Sequence, residues 1–322
     1  MTVNNIPAKL KGFDFWKTAL KSARYVVAPM VDQSELTWRM LSRKYNAELC
    51  YTPMFHARMF GDPNNSTYKN EAWHTVPEDR PLIAQFCSNN PDELLRAAKL
   101  VETECDAVDI NLGCPQHIAK RGHYGSYLQD EWELIEKMVR ILDENLAIPV
   151  TCKIRIFPDV EKTIKYAKML ENAGCQLLTV HGRLREQKGH NTGLADWEQI
   201  KLVKEAVKIP VFANGNILYH EDVERCMEKT GVEGVMSAEA NLYNPALFSG
   251  KEVPLWVLGE EYIELCKKYE YSNKNSYIKA HLFKLYKQCL SIHTDIRDQL
   301  AKAKGLSEYE QVVKALNDKL KV

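Results

Sequence analysis

Short apolar, β-branched runs recur through the first 240 residues, beginning near Tyr25 (YVVAPM), Leu49 (LCYTPM), Leu82 (LIAQF), Ala107 (AVDINLG), Val150 (VTCKIRI), Leu177 (LLTVHG), Val211 (VFANG) and Gly234 (GVMSAE). Each is too short for a helix and ends in Gly, Pro or a polar residue, as buried strands do. Between them the spacing becomes helical. Asn90-Pro91 opens a helix with Leu94, Ala97, Ala98 and Val101 on one face. Asp130 with Glu133 reads as a capping box ahead of Ile135, Met138, Val139 and Leu142. Ile164, Ala167, Leu170 and Ala173 share a face, and Gly174 is the expected stop. Asp196 with Gln199 opens a further helix through Ile200, Val203 and Val207.

Strands that alternate with helices pair in parallel, because parallel neighbours need crossover connections. Eight such units predict an α/β fold of the (β/α)8 TIM barrel type, with an open doubly wound sheet as the alternative. After Glu239 the pattern changes. Pro245 and Pro254 flank a link, and from Leu255 onward the chain reads as helices alone. The expected organisation is a catalytic barrel over 1–250 and a small all-helical domain over 251–322.

Composition narrows the class. The chain has 322 residues, 45% hydrophobic and 27% charged, the ordinary globular mix, with zero formal net charge. The neutrality hides an asymmetry. Residues 271–322 hold ten Lys or Arg against five Asp or Glu, a surplus of +5. Such a surplus is either a solvated helical face or a phosphate-contacting surface. The nine cysteines are an odd number with no Cys-x-x-Cys pair, so free thiols in a reducing compartment are expected and no metal site is. The N-terminus does not read as a signal peptide, and no uncharged apolar run approaches about 18 residues, so no membrane span is expected.

A barrel of this kind places its chemistry at the C-terminal ends of its strands. The unusual residues cluster there: Pro29-Met30, Gln85, Asn111, Lys153 with Arg155, His181, Asn214-Gly215-Asn216 and Ala238-Glu239. Asn111-Leu112-Gly113-Cys114-Pro115 opens a long polar segment of the kind that forms a functional loop. Spacing alone leaves Cys114 as acid, nucleophile, ligand or packed thiol. Lys153 and Arg155 are two apart, hence on one face, and two inward cations require an anionic ligand, a substrate carbonyl or a buried carboxylate. His181-Gly182-Arg183 follows the sixth strand. Asn214-Gly215-Asn216 and Ala238-Glu239 occupy the strand ends where such barrels hold phosphate. Neither a G-x-G-x-x-G nor a P-loop pattern occurs.

The ordered set APM, AQF, DINLGCP, KIR, VHGR, ANGNI and VMSAE resembles the tRNA-dihydrouridine synthase family from about Tyr25 to about Phe248. GHYGSYL and VMSAEANLYNPALF resemble its eukaryotic subgroup acting on positions 16 and 17 of the tRNA D-loop, and YIKAHLFKLY resembles the family's tRNA-holding helical domain. The resemblance implies FMN as cofactor, NADPH or NADH as reductant, tRNA as partner, and reduction of uridine to 5,6-dihydrouridine. Hydride then goes from reduced flavin to C6, and Cys114 gives the proton to C5. A thiol with a reference pKa of about 8.5 is roughly 97% protonated at pH 7 and can serve. Pro29, Met30 and Val31 line the flavin. Gln85, Lys153 and His181 contact its ring or ribityl part. Asn214, Gly215, Asn216, Ala238 and Glu239 wrap its phosphate end. Asn111, Arg155 and Arg183 touch the substrate. A monomer in the cytoplasm or nucleus is expected.

Two departures bear on the cofactor: Asn216 stands where many bacterial members read Asp, and Ala238-Glu239-Ala240 where they read Gly-Arg-Gly. The lost Arg removes a phosphate counter-charge. An FMN-dependent dehydrogenase of the dihydroorotate or dihydropyrimidine type, acting on a free base, shares the barrel and a related Cys-Pro loop but has no use for a basic helical tail. A non-catalytic RNA-binding barrel is the alternative from another class.

Overall fold

The computed structural model describes residues 9–321. The eight expected strands are present: β1 (Tyr25–Val27), β2 (Leu49–Tyr51), β3 (Leu82–Cys87), β4 (Ala107–Leu112), β5 (Val150–Arg155), β6 (Leu178–His181), β7 (Val211–Asn214) and β8 (Gly234–Ser237). Every pairing is parallel. The order runs β2-β1-β8-β7-β6-β5-β4-β3, and β2 pairs with β3 through Cys50↔Leu82 and Tyr51↔Ile83, which closes the barrel. Closure excludes the open sheet.

Alternate residues along each strand face inward and outward. The outward set, including Val108, Ile110, Cys152, Ile154, Val180 and Ala213, packs against the surrounding helices. The inward set begins with an apolar floor of Leu49, Ile83, Ala107, Phe212 and Met236. Phe15 and Leu20, from and just after a helix at Gly12–Thr18, join this floor and close the N-terminal end. Above it the inward positions turn polar: Tyr51, Gln85, Asp109, Thr151 and Thr179 are all fully buried. The next inward positions, Asn111, Lys153, His181 and Asn214, reach the mouth.

Three local expectations need correction. Asp130 and Glu133 form no capping box. The helix is Trp132–Asn145, its N-cap is Glu131 without a side-chain bond, and Asp130 instead accepts from Lys162 at 2.6 Å. A charged partner across the loop outcompetes the local cap. The segment after Cys114 has structure of its own, an α-helix at His117–Gly122 and a 3-10 turn at Gly125–Leu128. Gln85 lies inside β3 rather than at its end. The strand runs on to Cys87 because a two-residue strand, Phe55–His56, pairs with Phe86 and Cys87. The other helix starts form as read: Asn90 accepts from Asp92 N and Glu93 N, and Asp196 accepts from Gln199 N.

After the barrel come helices at Leu255–Lys268, Asn275–Leu285, Lys287–Ile292, Thr294–Lys302 and Leu306–Leu320. Their core also takes in Trp38, Leu41, Leu242 and Ala246 from the barrel side. At this junction His281 stacks on Trp38 with centroids 4.0 Å apart and meets Glu35 Oε2 at 2.9 Å, both ends of the pair being buried. Among the described residues no helix is long and apolar enough to cross a membrane, and no group of three His, Cys, Asp or Glu is placed to hold a metal ion.

The loops after β1 and β2 depend on one buried cation. Arg39 donates to Asp79 Oδ2 at 2.6 and 2.9 Å, to Ser34 O at 2.6 Å and to His74 O at 2.8 Å, while Arg43 reaches Asp79 Oδ1 at 3.0 Å. Asp79→Ala leaves the Arg39 guanidinium buried without its carboxylate. Denaturant unfolding is expected to show a loss of about 3–5 kcal/mol. A loss below about 1 kcal/mol would mean that Arg39 does not depend on this carboxylate.

Candidate active site

The strand ends fix the position of Cys114. β4 stops at Leu112, and Asn111 turns its side-chain oxygen to accept the N–H groups of Gly113 at 3.2 Å and Cys114 at 2.9 Å. This Asx-type turn starts the loop. Arg155 Nε donates to Gly113 O at 2.9 Å. From the other side, Ser126 donates its N–H at 3.1 Å and its hydroxyl at 3.0 Å to Cys114 O. Lys188 Nζ at 2.7 Å and Tyr127 OH at 3.0 Å both donate to Pro115 O. Gly125 is required here, since φ is +65° and a Cβ would stand 2.9 Å from Cys114 Cβ and 2.8 Å from Cys114 O. The thiol is half-buried. All nine cysteines are free, and Cys289 is the other half-buried one.

Three cations crowd this mouth. Lys153 Nζ donates to Asn214 Oδ1 at 2.8 Å, and Asn214 in turn donates to Met236 O at 2.9 Å. Arg155 is held by Gly113 O, Leu184 O and Gln187 O. Arg183 spans Gly193 O, His181 Nε2 and Asn216 Oδ1, the last at 2.7 Å. Among the described residues no carboxylate forms a salt bridge with any of the three. Burial, with Arg155 adding to it, pulls the Lys153 ammonium down to about 8, against the opposing pull of Asp109 and Cys114. Burial and then the neighbouring cations hold His181 well below the ordinary imidazole range, so its ring is neutral. Burial pushes the Cys114 thiol up. The Gln116 backbone bond and then Arg155, Lys153 and Lys188 oppose that shift.

The far rim carries the loops after β7 and β8. Gly215 and Asn216 take left-handed φ values of +111° and +60°. A Cβ on Gly215 would meet Ala195 Cβ at 2.7 Å and His181 Cδ2 at 3.1 Å, and Trp197 Nε1 donates to Gly215 O at 3.0 Å. Ala238 precedes a short helix, Glu239–Tyr243. The Glu239 side chain turns away to the helical region, accepting from Tyr243 OH at 2.8 Å and Lys284 Nζ at 3.2 Å. On the near rim, Pro29 and Met30 are half-buried and Val31 is exposed. Met30 donates its N–H to Ser34 Oγ at 2.8 Å, so that donor is already used. Gln85 is fully enclosed, and its amide bonds Asp109 and Asn111.

Sequence reasoning therefore found the rim but missed several residues that hold it: Ser126 and Tyr127 in the turn Gly125–Leu128, Lys188 in the loop after β6, and Trp197 at the start of the next helix. Asp109 had a readable signal, because an acid two residues before Asn111 in an otherwise apolar strand must face the same interior. A cavity of about 510 Å³ lined by Lys120, Tyr127, Arg185, Glu186 and Lys188 adjoins the Cys114 loop. A larger one, about 720 Å³, lies between the helices Trp197–Ala206 and His220–Thr230 and meets the mouth residues only at Asn216.

A closed parallel barrel with a half-buried thiol, a Lys without a carboxylate salt bridge and left-handed turns on one rim is of the (β/α)8 class. Residues 26–322 match the model of the dihydrouridine synthase (Dus) family, and the chain belongs to that family. It is 56% identical over 308 residues to a Mus musculus protein described as tRNA-dihydrouridine(16/17) synthase [NAD(P)(+)]-like, covering 96% of this chain and 64% of that one. It is 51% identical over 314 residues to the Schizosaccharomyces pombe tRNA-dihydrouridine(16/17) synthase [NAD(P)(+)], covering 94% and 78%. The chain thus spans just under two thirds of the mouse relative's length. Among solved structures, a 2-naphthoyl-CoA reductase complex shares the fold with TM-score 0.53 at 11% identity, over 70% of this chain and 49% of that one.

The thiol's raised pKa gives a pH test. Only the thiolate is alkylated, so Cys114 labelling by iodoacetamide should stay slow at neutral pH and climb with a midpoint above the free-thiol value of about 8.5. Peptide-resolved mass spectrometry separates Cys114 from Cys289. A midpoint below about 8 would show that the cations, not burial, set this thiol.

Proposed function

We propose that the chain reduces uridine to 5,6-dihydrouridine in the D-loop of tRNA, at positions 16 and 17, with FMN as cofactor and NADPH or NADH as reductant. The observation that carries this reading is the Cys114 thiol, clamped from both sides at the mouth of the barrel and kept protonated by burial. Family membership and the names of the similar proteins support the substrate.

The donor set at the mouth fits FMN. Lys153 has hydrogens beyond the one given to Asn214, and among the described residues no carboxylate forms a salt bridge with it. An electron-rich ring edge would take that unmatched charge. The left-handed turn at Gly215-Asn216 and the loop at Ala238-Glu239 suit the phosphate end. Arg183, bonded to Asn216, supplies a cation there, and Glu239, tied to Lys284, does not oppose it. Bound FMN would supply the hydride that the C6 position of the uracil ring requires.

The chain's residues do the rest. Reduction at C6 leaves negative charge on C5 and O4, and carbon accepts a proton slowly, so a positioned acid is needed. Cys114 gives its Sγ proton to C5 and is left as a thiolate beside Arg155, Lys153 and Lys188. These are the same cations that favour its charged form. A uridine stacked in folded tRNA must be extruded to reach this depth. The cavity of Lys120, Tyr127, Arg185 and Lys188 beside the Cys114 loop suits the flanking backbone. The basic surplus on the helical region, which we take as the tRNA-holding part, adds a second zone of phosphate binding.

Cys114→Ala is expected to bind FMN and be bleached by NADPH, yet form dihydrouridine about 100-fold more slowly or worse, as measured by nucleoside analysis of tRNA. Product formation at the parental rate would remove Cys114 as the acid. Replacing Lys284, Lys287, Lys302 and Lys304 together by Ala should weaken tRNA binding. It should also flatten log K against log salt by about 0.9 for each duplex phosphate that is no longer neutralised. Unchanged binding across salt would remove the helical face from the interface.

A further inference from the structure

Three adjacent strands each bury one polar residue at the same height: Gln85 in LIAQFC, Asp109 in AVDINL and Thr151 in VTCKIR. The register aligns them, Gln85↔Asp109 and Asp109↔Thr151, with Asn111↔Lys153 one inward step nearer the mouth. The first three are fully buried, and Asn111 is 8% exposed. Burying polar groups at this level is costly unless each is paired. Here every pair has a direction. Thr151 Oγ1 donates to Asp109 Oδ1 at 2.6 Å, and Gln85 Nε2 donates to Asp109 Oδ2 at 2.8 Å. Asn111 Nδ2 then donates to Gln85 Oε1 at 2.9 Å, which leaves Asn111 Oδ1 to accept the N–H groups of Gly113 and Cys114.

We propose that Asp109 is a positioning residue: as an acceptor-only carboxylate it sets the polarity of the Gln85 and Asn111 amides, and so holds the backbone of Cys114 at the barrel mouth.

Matching donors to acceptors decides each orientation. An amide can turn end for end with little change of shape, so neither Gln85 nor Asn111 fixes its own orientation. An ionised carboxylate has no such freedom, because it only accepts, and Asp109, which burial lifts to about 6, is mainly ionised at pH 7 and above, where exchange is measured. Facing Asp109, Gln85 must present its NH2, and its oxygen then points toward Asn111. Facing that oxygen, Asn111 must present its own NH2, and its oxygen then points at the loop. If Asn111 were reversed, its NH2 would meet the N–H of Cys114 donor to donor, and two backbone donors would be left without a partner. A buried donor without a partner costs about 1–3 kcal/mol, enough to free a loop this short. The relay gives Gln85 a structural task one layer below the mouth, beside the ring contact that resemblance implies. The proposal rests on the reading of Cys114 as the acid for its functional meaning, but not for its geometry.

The test reads the loop rather than the reaction. Amide hydrogen exchange at Gly113 and Cys114 is measured on the full chain, without tRNA or cofactor, in Asp109→Val, Asp109→Asn and Gln85→Met. Asp109→Val and Gln85→Met cut the relay and should speed exchange at both amides at least about tenfold, with the β4 amides unchanged. Asp109→Asn still offers an oxygen to Gln85 while its NH2 faces Thr151 Oγ1, so protection should stay within about threefold. Should Asp109→Val fail to fold, Gln85→Met, which leaves the Asp109–Thr151 bond in place, decides alone. Unchanged exchange at Cys114 in Gln85→Met, or loss of protection in Asp109→Asn equal to that in Asp109→Val, would overturn the proposal. Because amide exchange does not involve product formation, this result stands apart from the Cys114→Ala test. If that test fails while the exchange pattern holds, the relay remains and only its catalytic purpose is lost.

Discussion

Closure of eight parallel strands is the constraint on which the rest of this molecule depends. Parallel pairing sends every strand in one direction, so all C-terminal ends reach one rim. The β2–β3 pairing at Cys50↔Leu82 completes the ring and makes that rim a circle. Asn111, Lys153, His181 and Asn214, from four strands and spread over more than a hundred positions of the chain, then face one small volume. Lys153 bonds Asn214 across 61 residues, and Asn111 bonds Gln85 across 26. The period-two alternation sorts the side chains, apolar outward against the helices and, going up the interior, from apolar floor to polar layer to charged mouth.

That upward gradient has an energetic logic. The floor of Leu49, Ile83, Ala107, Phe212 and Met236 supplies burial without directional bonds. The layer above it contains polar groups that bond one another and, through Gln85, Asn111 at the mouth, which makes it stiff. The mouth holds cations that, among the described residues, no carboxylate pairs in a salt bridge. Lys153 drawn down to about 8 and His181 held neutral reflect burial first and, second, an unmatched positive field. Such a field works against the folded state and favours an anionic or electron-rich ligand. Strongly shifted groups in a cleft point to function more often than to stability.

The helical region is not an independent appendage in packing terms. Its core shares Trp38, Leu41, Leu242 and Ala246 with the barrel side, and the Glu35–His281 pair is sealed between them. The loop after β1, which carries Met30 at the mouth, runs directly into the helix that presents Trp38. Packing at the junction and the shape of the near rim are therefore linked through one short stretch of chain. The Lys284–Glu239 ion pair links the helical region in the same way to the loop after β8.

The order of elements was legible in the chain, because periodicity is local. Eight apolar runs, the Asn90 and Asp196 caps and the Gly174 stop each depend on residues a few positions apart. The ring of rim residues followed from the rule that barrels work at their strand ends. Local rules misled where a distant partner won, as when Lys162 drew Asp130 away from its cap and Phe55–His56 extended β3 past Gln85. The directions of the bonds were not readable at all. Nothing in DINLGCP says that Asp109 fixes Gln85, that Gln85 fixes Asn111, or that Arg155 and Ser126 grip the loop from opposite sides. Those facts depend on strand register and on which atoms come within about 3 Å of each other, and only closure of the barrel decides them. The sequence by itself determined the parts and their order along the rim; the tertiary structure determined which groups were left without partners, and so where a ligand is required.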